Sequence, residues 1–175
     1  MNSDMIPILA VLITATSTLV AVFITNYFNM KSLEKNLKFQ LQLQLKNNEV
    51  RLNKLENVYE LFEKWNTYFA INYLNYLHFH NKKITQSDLF ELIRDPKVYN
   101  SGDFQKLITL LNIYFPELND EYERVNKARS EVVKYMNVDK EINVKDFVKV
   151  QESFENVAMN FKKEISELAK NMKNE

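Results

Sequence analysis

Cysteine is absent from this chain, glycine occurs once (Gly102) and proline three times. The first absence excludes disulfides, thiolate metal sites and cysteine nucleophiles, and leaves the redox compartment open. The scarcity of glycine argues against sheets and phosphate loops together. Hairpins and bulges need it, and so does a backbone that must approach a phosphate closely. Net charge is lacking too: Lys plus Arg and Asp plus Glu number 23 each, which draws the chain neither to nucleic acid nor to an acidic partner. Histidine is present only as His78 and His80, which a helix points in different directions. The zinc-protease pattern of two histidines at i, i+4 is missing, as are a Gly-rich phosphate loop and a Gly-x-Ser-x-Gly elbow. The chain is therefore read as all-α and non-enzymatic, with no metal and no cofactor.

What is present begins with "IPILAVLITATSTLVAVFITNYF". From Ile6 to Phe28 it carries no charge for 23 residues. As a helix it spans about 34 Å, enough to cross a bilayer. A cleaved signal peptide has a basic leader and a shorter apolar core. Here Asp4 precedes the run, while Lys31, Lys35 and Lys38 follow it. The positive-inside rule then puts the N-terminus outside and the rest in the cytoplasm, with Tyr27 and Phe28 at an aromatic belt. Within the span Thr14, Thr18, Ala21 and Thr25 recur at i, i+4, i+7 and i+11, one face of a helix. Such a stripe is either a close-packing face between membrane helices or a weakly polar pore lining made by several copies. Both readings require self-association.

Beyond the span, "KFQLQLQLKN" alternates Leu with Gln in the period of a strand. A strand here would break the 3-4-3-4 heptad that runs through Leu45, Asn48, Leu52, Leu55, Tyr59, Phe62, Asn66, Phe69, Tyr73 and Tyr76. Read as helix, the stretch is apolar on two sides: Leu33, Leu37, Leu41 and Leu45 on one, Phe39 and Leu43 on the other. A helix with two apolar faces needs a neighbour on each, which a ring or bundle of three or more copies supplies, a tetramer being favoured. Leu37, Leu41, Leu45 and Asn48 are the expected contacts between chains. Val58, Leu61, Trp65 and Tyr68 are expected to pack on the chain's own C-terminal helices instead. The organisation read from this is an anchor over 1–29, a long coiled-coil-like stalk continuous with it over 30–82, and a helical domain over 83–175 that packs on the stalk. Asn47-Asn48 is the place where the stalk has room to bend.

The C-terminal domain divides at its punctuation. "ITQSDLFELIRDP" reads as a short helix with Thr85 as N-cap, ending before Pro96. A second runs from Ser101 to about Phe115, and Pro116 opens a third at its first turn. The third carries Leu118, Tyr122, Val125, Arg129, Val132 and Met136. After a "VDKEIN" linker, Asn143 with Asp146 makes a capping-box-like start. The last helix sets Phe147, Val150, Phe154, Val157, Phe161, Ile165, Leu168 and Met172 on one face. Arg129 lies inside an apolar stripe, where a cation needs a partner. Either Glu60 or Glu63 supplies it, or Arg129 forms an anion site with Arg124 and Lys127.

With its uninterrupted apolar run leading into a helical body, and with "LLNIYFPELNDEY", a segment in the style of membrane-anchored bacterial proteins, the chain resembles the small single-pass membrane effectors of bacterial anti-phage defence, the Hailong-type channel subunits. The resemblance implies an oligomeric channel in the bacterial inner membrane. It also implies control through the cytoplasmic domain by a nucleotide, a nucleic acid or a regulatory protein, and depolarisation of the infected cell. Read from the residues alone, a membrane-tethered coiled-coil scaffold that recruits a cytosolic partner stands beside the gated pore, and an enzyme or transport accessory is the remaining class.

Overall fold

A computed structural model describes residues 5–94 and 101–174. Asp4 and Pro96, which the sequence reading uses to orient the span and to end a helix, lie outside the described residues. Every described element is helical: α1 (Met5–His80), α2 (Gln86–Arg94), α3 (Ser101–Tyr114), a 3₁₀ turn (Pro116–Leu118), α4 (Asn119–Val133) and α5 (Val144–Asn174). No strand occurs among the described residues. "KFQLQLQLKN" is accordingly helix, part of an α1 that has neither proline nor glycine beyond its first turn to interrupt it.

The chain divides into two compact units, Met1–Asn47 and Asn48–Glu175. In the first unit every residue from Leu9 to Asn47 is exposed. Its apolar part has a mean hydropathy of 1.9 over an 18-residue window and is long enough to cross a membrane. The division falls inside the stalk that the sequence suggests, and the reason is packing. From Leu55 onward most of the heptad is spent within the chain: Leu55, Phe62, Phe69 and Tyr73 are buried, Asn66 and Tyr76 half-buried, and Tyr59 is exposed. Val58, Leu61 and Trp65 are buried with them, which widens the narrow coiled-coil seam into the broad apolar face of a globular helix.

In the second unit α5 runs antiparallel to α1, as three ring contacts establish. Tyr73 meets Phe147 with centroids 4.8 Å apart, Phe69 meets Phe154 at 4.8 Å, and Phe62 meets Phe161 at 4.7 Å. The pairs Tyr73–Phe147 and Phe62–Phe161 are edge-to-face and Phe69–Phe154 is tilted; aromatic pairs at these separations contribute about 0.5–1.5 kcal/mol each beyond the area they bury. The 7-residue steps in α5 that bring Phe147, Phe154 and Phe161 to α1 are two helical turns each, so the sequence places them on one face. α4 closes the third side, with Tyr122 against Trp65 and Phe161 at 6.4 and 5.7 Å. Leu107, Leu111 and Phe115 join the same core from α3 and the turn after it.

The helix ends follow local chemistry. α1 stops in a Schellman arrangement: Lys83 N–H donates to the His78 carbonyl at 2.9 Å and Lys82 N–H to that of Phe79 at 2.8 Å. Its left-handed position (φ 57) is held by Lys82, where glycine is the usual occupant. Thr85 caps α2 as expected, in a reciprocal box. Its Oγ1 accepts from the Asp88 N–H at 3.2 Å, while Asp88 Oδ2 accepts from the Thr85 N–H at 2.9 Å. Pro116 departs from expectation: it opens a separate 3₁₀ turn, and α4 begins only at Asn119. Phe115 is the residue before a proline and adopts φ −137, which breaks the α-helix there. At α5, Asn143 Oδ1 accepts from the Lys145 N–H at 3.0 Å and caps the first turn.

Candidate functional site

The candidate residues fall into three groups, which the structure keeps separate. The first is the hydroxyl stripe of α1. Thr14 donates to the Ala10 carbonyl at 2.8 Å, Thr18 to Thr14 at 2.9 Å and Thr25 to Ala21 at 2.8 Å, each one turn back along its own helix. Thr16 and Ser17 do the same toward Leu12 and Ile13. A hydroxyl in hydrocarbon is costly unless bonded, and here each is satisfied inside the helix. The stripe that Ala21 completes therefore presents methyl groups and small contours outward, with its polar atoms already occupied. Residue spacing defines the face but not the direction in which the hydroxyls turn.

The second group is Leu37, Leu41, Leu45 and Asn48. The three leucines are 57%, 57% and 60% exposed, and Phe39 and Leu43 on the other side are exposed as well. Asn48 is half-buried, at the first position of the compact C-terminal unit. Charges on this part of the helix pair locally, Lys38 donating to Glu34 at 2.7 Å. Leu37, Leu41 and Leu45 on one side and Phe39 and Leu43 on the other thus leave this helix with apolar side chains exposed on two sides.

The third group, Arg124, Lys127 and Arg129, does not converge. At about 100° per residue Arg129 lies about 140° around α4 from Arg124 and about 200° from Lys127. Arg124 is exposed and pairs with Glu121 at 2.8 Å, and Lys127 is exposed. Arg129 alone turns inward, its guanidinium over the Trp65 indole at 5.9 Å from the ring centroid. Neither acidic partner anticipated for it is used: Glu63 takes Lys162 at 2.8 Å instead, and Glu60 is exposed. The ring quadrupole replaces the carboxylate as the partner of the cation.

The end of α1, the start of α2 and the α4–α5 linker meet, a convergence that their spacing in the sequence does not reveal. An open cleft of about 550 Å³ is lined there by Lys82, Lys83 and Lys140 against Asp88, Asp139 and Glu141, so its charges balance. His80 borders the cleft, with Nε2 3.0 Å from the Tyr135 carbonyl and its ring against Phe147. This is a structural role that fastens the end of α1. Asp88 is held below the usual carboxylate range, first by the Thr85 N–H and then by its hydroxyl. Burial pushes the Tyr73 phenol upward, with Glu155 and Glu152 adding to it, and burial does the same to Tyr76. Gln151 is buried to 2% exposure within the core and donates to Glu155 at 3.0 Å. No group of three or more His, Asp or Glu among the described residues is placed to hold a metal ion. Comparison of the chain with protein-family models, with curated proteins and with solved structures gives no match.

Proposed function

We propose that the chain is a homo-oligomeric single-pass membrane protein of three or more copies, with a tetramer as the working arrangement. Its packed spans surround a gated ion path controlled through a cytoplasmic helical body. The observation that carries this reading is the exposure of Leu37, Leu41 and Leu45 on a helix that also exposes Phe39 and Leu43. Burying a leucine is worth about 1.5–3 kcal/mol. Three leucines on one side of each helix, with Phe39 and Leu43 on the other, compete with the several kcal/mol that association costs. Anchoring lowers that cost, because a membrane holds the copies parallel and raises their effective concentration. Lys31, Lys35 and Lys38 after the span support a cytoplasmic body under the positive-inside rule. The channel activity and the defence role come from the resemblance to the anti-phage effectors. A nucleotide, nucleic acid or regulatory protein then acts on residues 48–175, which do no chemistry of their own.

A membrane-tethered scaffold is the second reading, and the back-bonded hydroxyls of Thr14, Thr18 and Thr25 favour it. A stripe whose polar atoms are satisfied internally suits close helix packing and requires no water-filled lumen. Expression of the protein in cells loaded with a voltage-sensitive dye separates the two. The channel reading expects collapse of the membrane potential when the body is activated. Intact oligomers that never depolarise the cell under any ligand condition would leave the scaffold standing and remove the channel.

A further inference from the structure

Immediately after the apolar run, α1 carries Lys31, Lys35 and Lys38 within an arc of about 60° of the helix. With Phe28, Ser32 and Glu34 they line a shallow concavity of about 520 Å³. Glu34 is the acid of this patch, and it engages Lys38 at 2.7 Å, so Lys31 and Lys35 supply its positive charge. Side chains on a helix lean toward its N-terminus, and α1 would leave the membrane in the N-to-C direction. Each lysine is therefore tilted back toward the bilayer. The structure shows this lean: Lys31 Nζ sits 5.4 Å over the ring of Tyr27, one turn nearer the span.

We propose that Lys31, over the Tyr27 ring, and Lys35, which shares the concavity with Phe28, form a binding site for the phosphate of an anionic phospholipid headgroup in the inner leaflet. The inference rests on the reading of α1 as a membrane span. The headgroup layer is about 5–8 Å deep on each side of the hydrocarbon. Lys31 lies about 4.5 Å beyond Phe28 along the helix and Lys35 about 10 Å beyond it, and the backward lean returns the second ammonium to headgroup depth. A phosphate there meets two ammonium donors, while the aromatic rings pack on the upper acyl and glycerol carbons. Lys38 lies farther out and is already engaged by Glu34. At an anionic surface each such lysine contributes about fivefold in affinity.

The experiment uses the full chain solubilised in detergent with equal amounts of phosphatidylglycerol and phosphatidylcholine, and native mass spectrometry counts the lipids retained. Wild type is expected to keep phosphatidylglycerol in excess by about twenty-five-fold. Lys31→Gln with Lys35→Gln is expected to lose most of that excess, Lys31→Arg with Lys35→Arg to keep it, and Lys82→Gln with Lys83→Gln to leave it unchanged. Equal retention of the two lipids by wild type overturns the proposal, as does removal of the excess by inorganic phosphate at matched concentration, which would make the site one for free phosphate. Alkaline carbonate extraction of membranes tests the span separately. Protein that stays in the membrane but shows no lipid preference loses the headgroup site alone, whereas protein that is extracted loses the span as well.

Discussion

Arg129 lays its guanidinium over the indole of Trp65, 5.9 Å from the ring centroid, and buries its Nε without a hydrogen-bond partner among the described residues. Two effects oppose each other there. The cation–π contact is worth about 0.5–2 kcal/mol, while a buried unbonded donor costs about 1–3 kcal/mol. The balance is near zero. Arg129→Met, which keeps the length of the stem and removes both effects, is expected to change stability by less than about 1 kcal/mol. Trp65→Ala, which empties the space beneath it, is expected to cost about 3–5 kcal/mol. Chemical denaturation of the two variants checks the contrast; a large loss in Arg129→Met would mean that the cation has a partner stronger than the ring.

Lys82 occupies the left-handed position of the motif that ends α1. A side chain with a Cβ is strained there and glycine is not. Lys82→Gly is expected to raise stability by about 0.5–1 kcal/mol, offset in part by the freedom that glycine gains in the unfolded chain. Equilibrium unfolding in urea measures it, with an unchanged slope as the sign that only the native end was relieved.

Stability is expected to fall at both ends of the pH scale, for opposite reasons. Asp88 is held low by Thr85, so its contribution is full above the unfolded carboxyl value of about 3.9 and is lost as pH falls through the lower folded value. The protection of the Leu89 N–H, which donates to the Thr85 carbonyl at 3.0 Å, taken relative to its intrinsic exchange rate at each pH, should fall in acid in wild type. In Asp88→Ala that protection should be low already, and flat across the same window. Tyr73 is held high by burial, so its neutral form is preferred in the folded protein; that contribution is intact below about pH 10 and declines above it. Tyr73→Phe should blunt the alkaline decline.

Thr18→Leu distinguishes the two uses of the hydroxyl stripe. In a conducting path the larger apolar side chain narrows and dewets the lumen, so ion flux falls while assembly persists. On a packing face it keeps neighbouring helices apart and the oligomer weakens. Flux through reconstituted vesicles and oligomer mass are measured on the same preparation. Full assembly with unchanged conductance would contradict both uses.

How far the sequence could be read follows from what each signal contains. The buried face of α5 was legible because Phe147, Phe154, Phe161, Ile165 and Met172 keep one period over a long helix, and all five are buried. The two-sided helix at Leu41 and Leu43 was legible because a continuing heptad left no room for a strand. Gln151 was not: a glutamine reads as surface, and only the packing of α5 takes it into the core. Periodicity placed Arg129 on the inward stripe but could not say that an indole would receive it, because aromatic faces carry no charge for a pairing rule to find. Pro116 marks a break but not its type: the restriction it places on Phe115 ends the α-helix there, and a 3₁₀ turn intervenes before α4 starts at Asn119.

The account stands on self-association through residues 30–45, and the mass of the detergent-solubilised full chain, measured by light scattering with the detergent subtracted, tests it most directly. Wild type is expected at the mass of three or more chains. Leu41→Asn with Leu45→Asn is expected to shift toward monomer, because each substitution removes about 2–4 kcal/mol of burial and adds an amide to the interface. A wild type that is monomeric across the accessible concentration range would contradict the account at its centre.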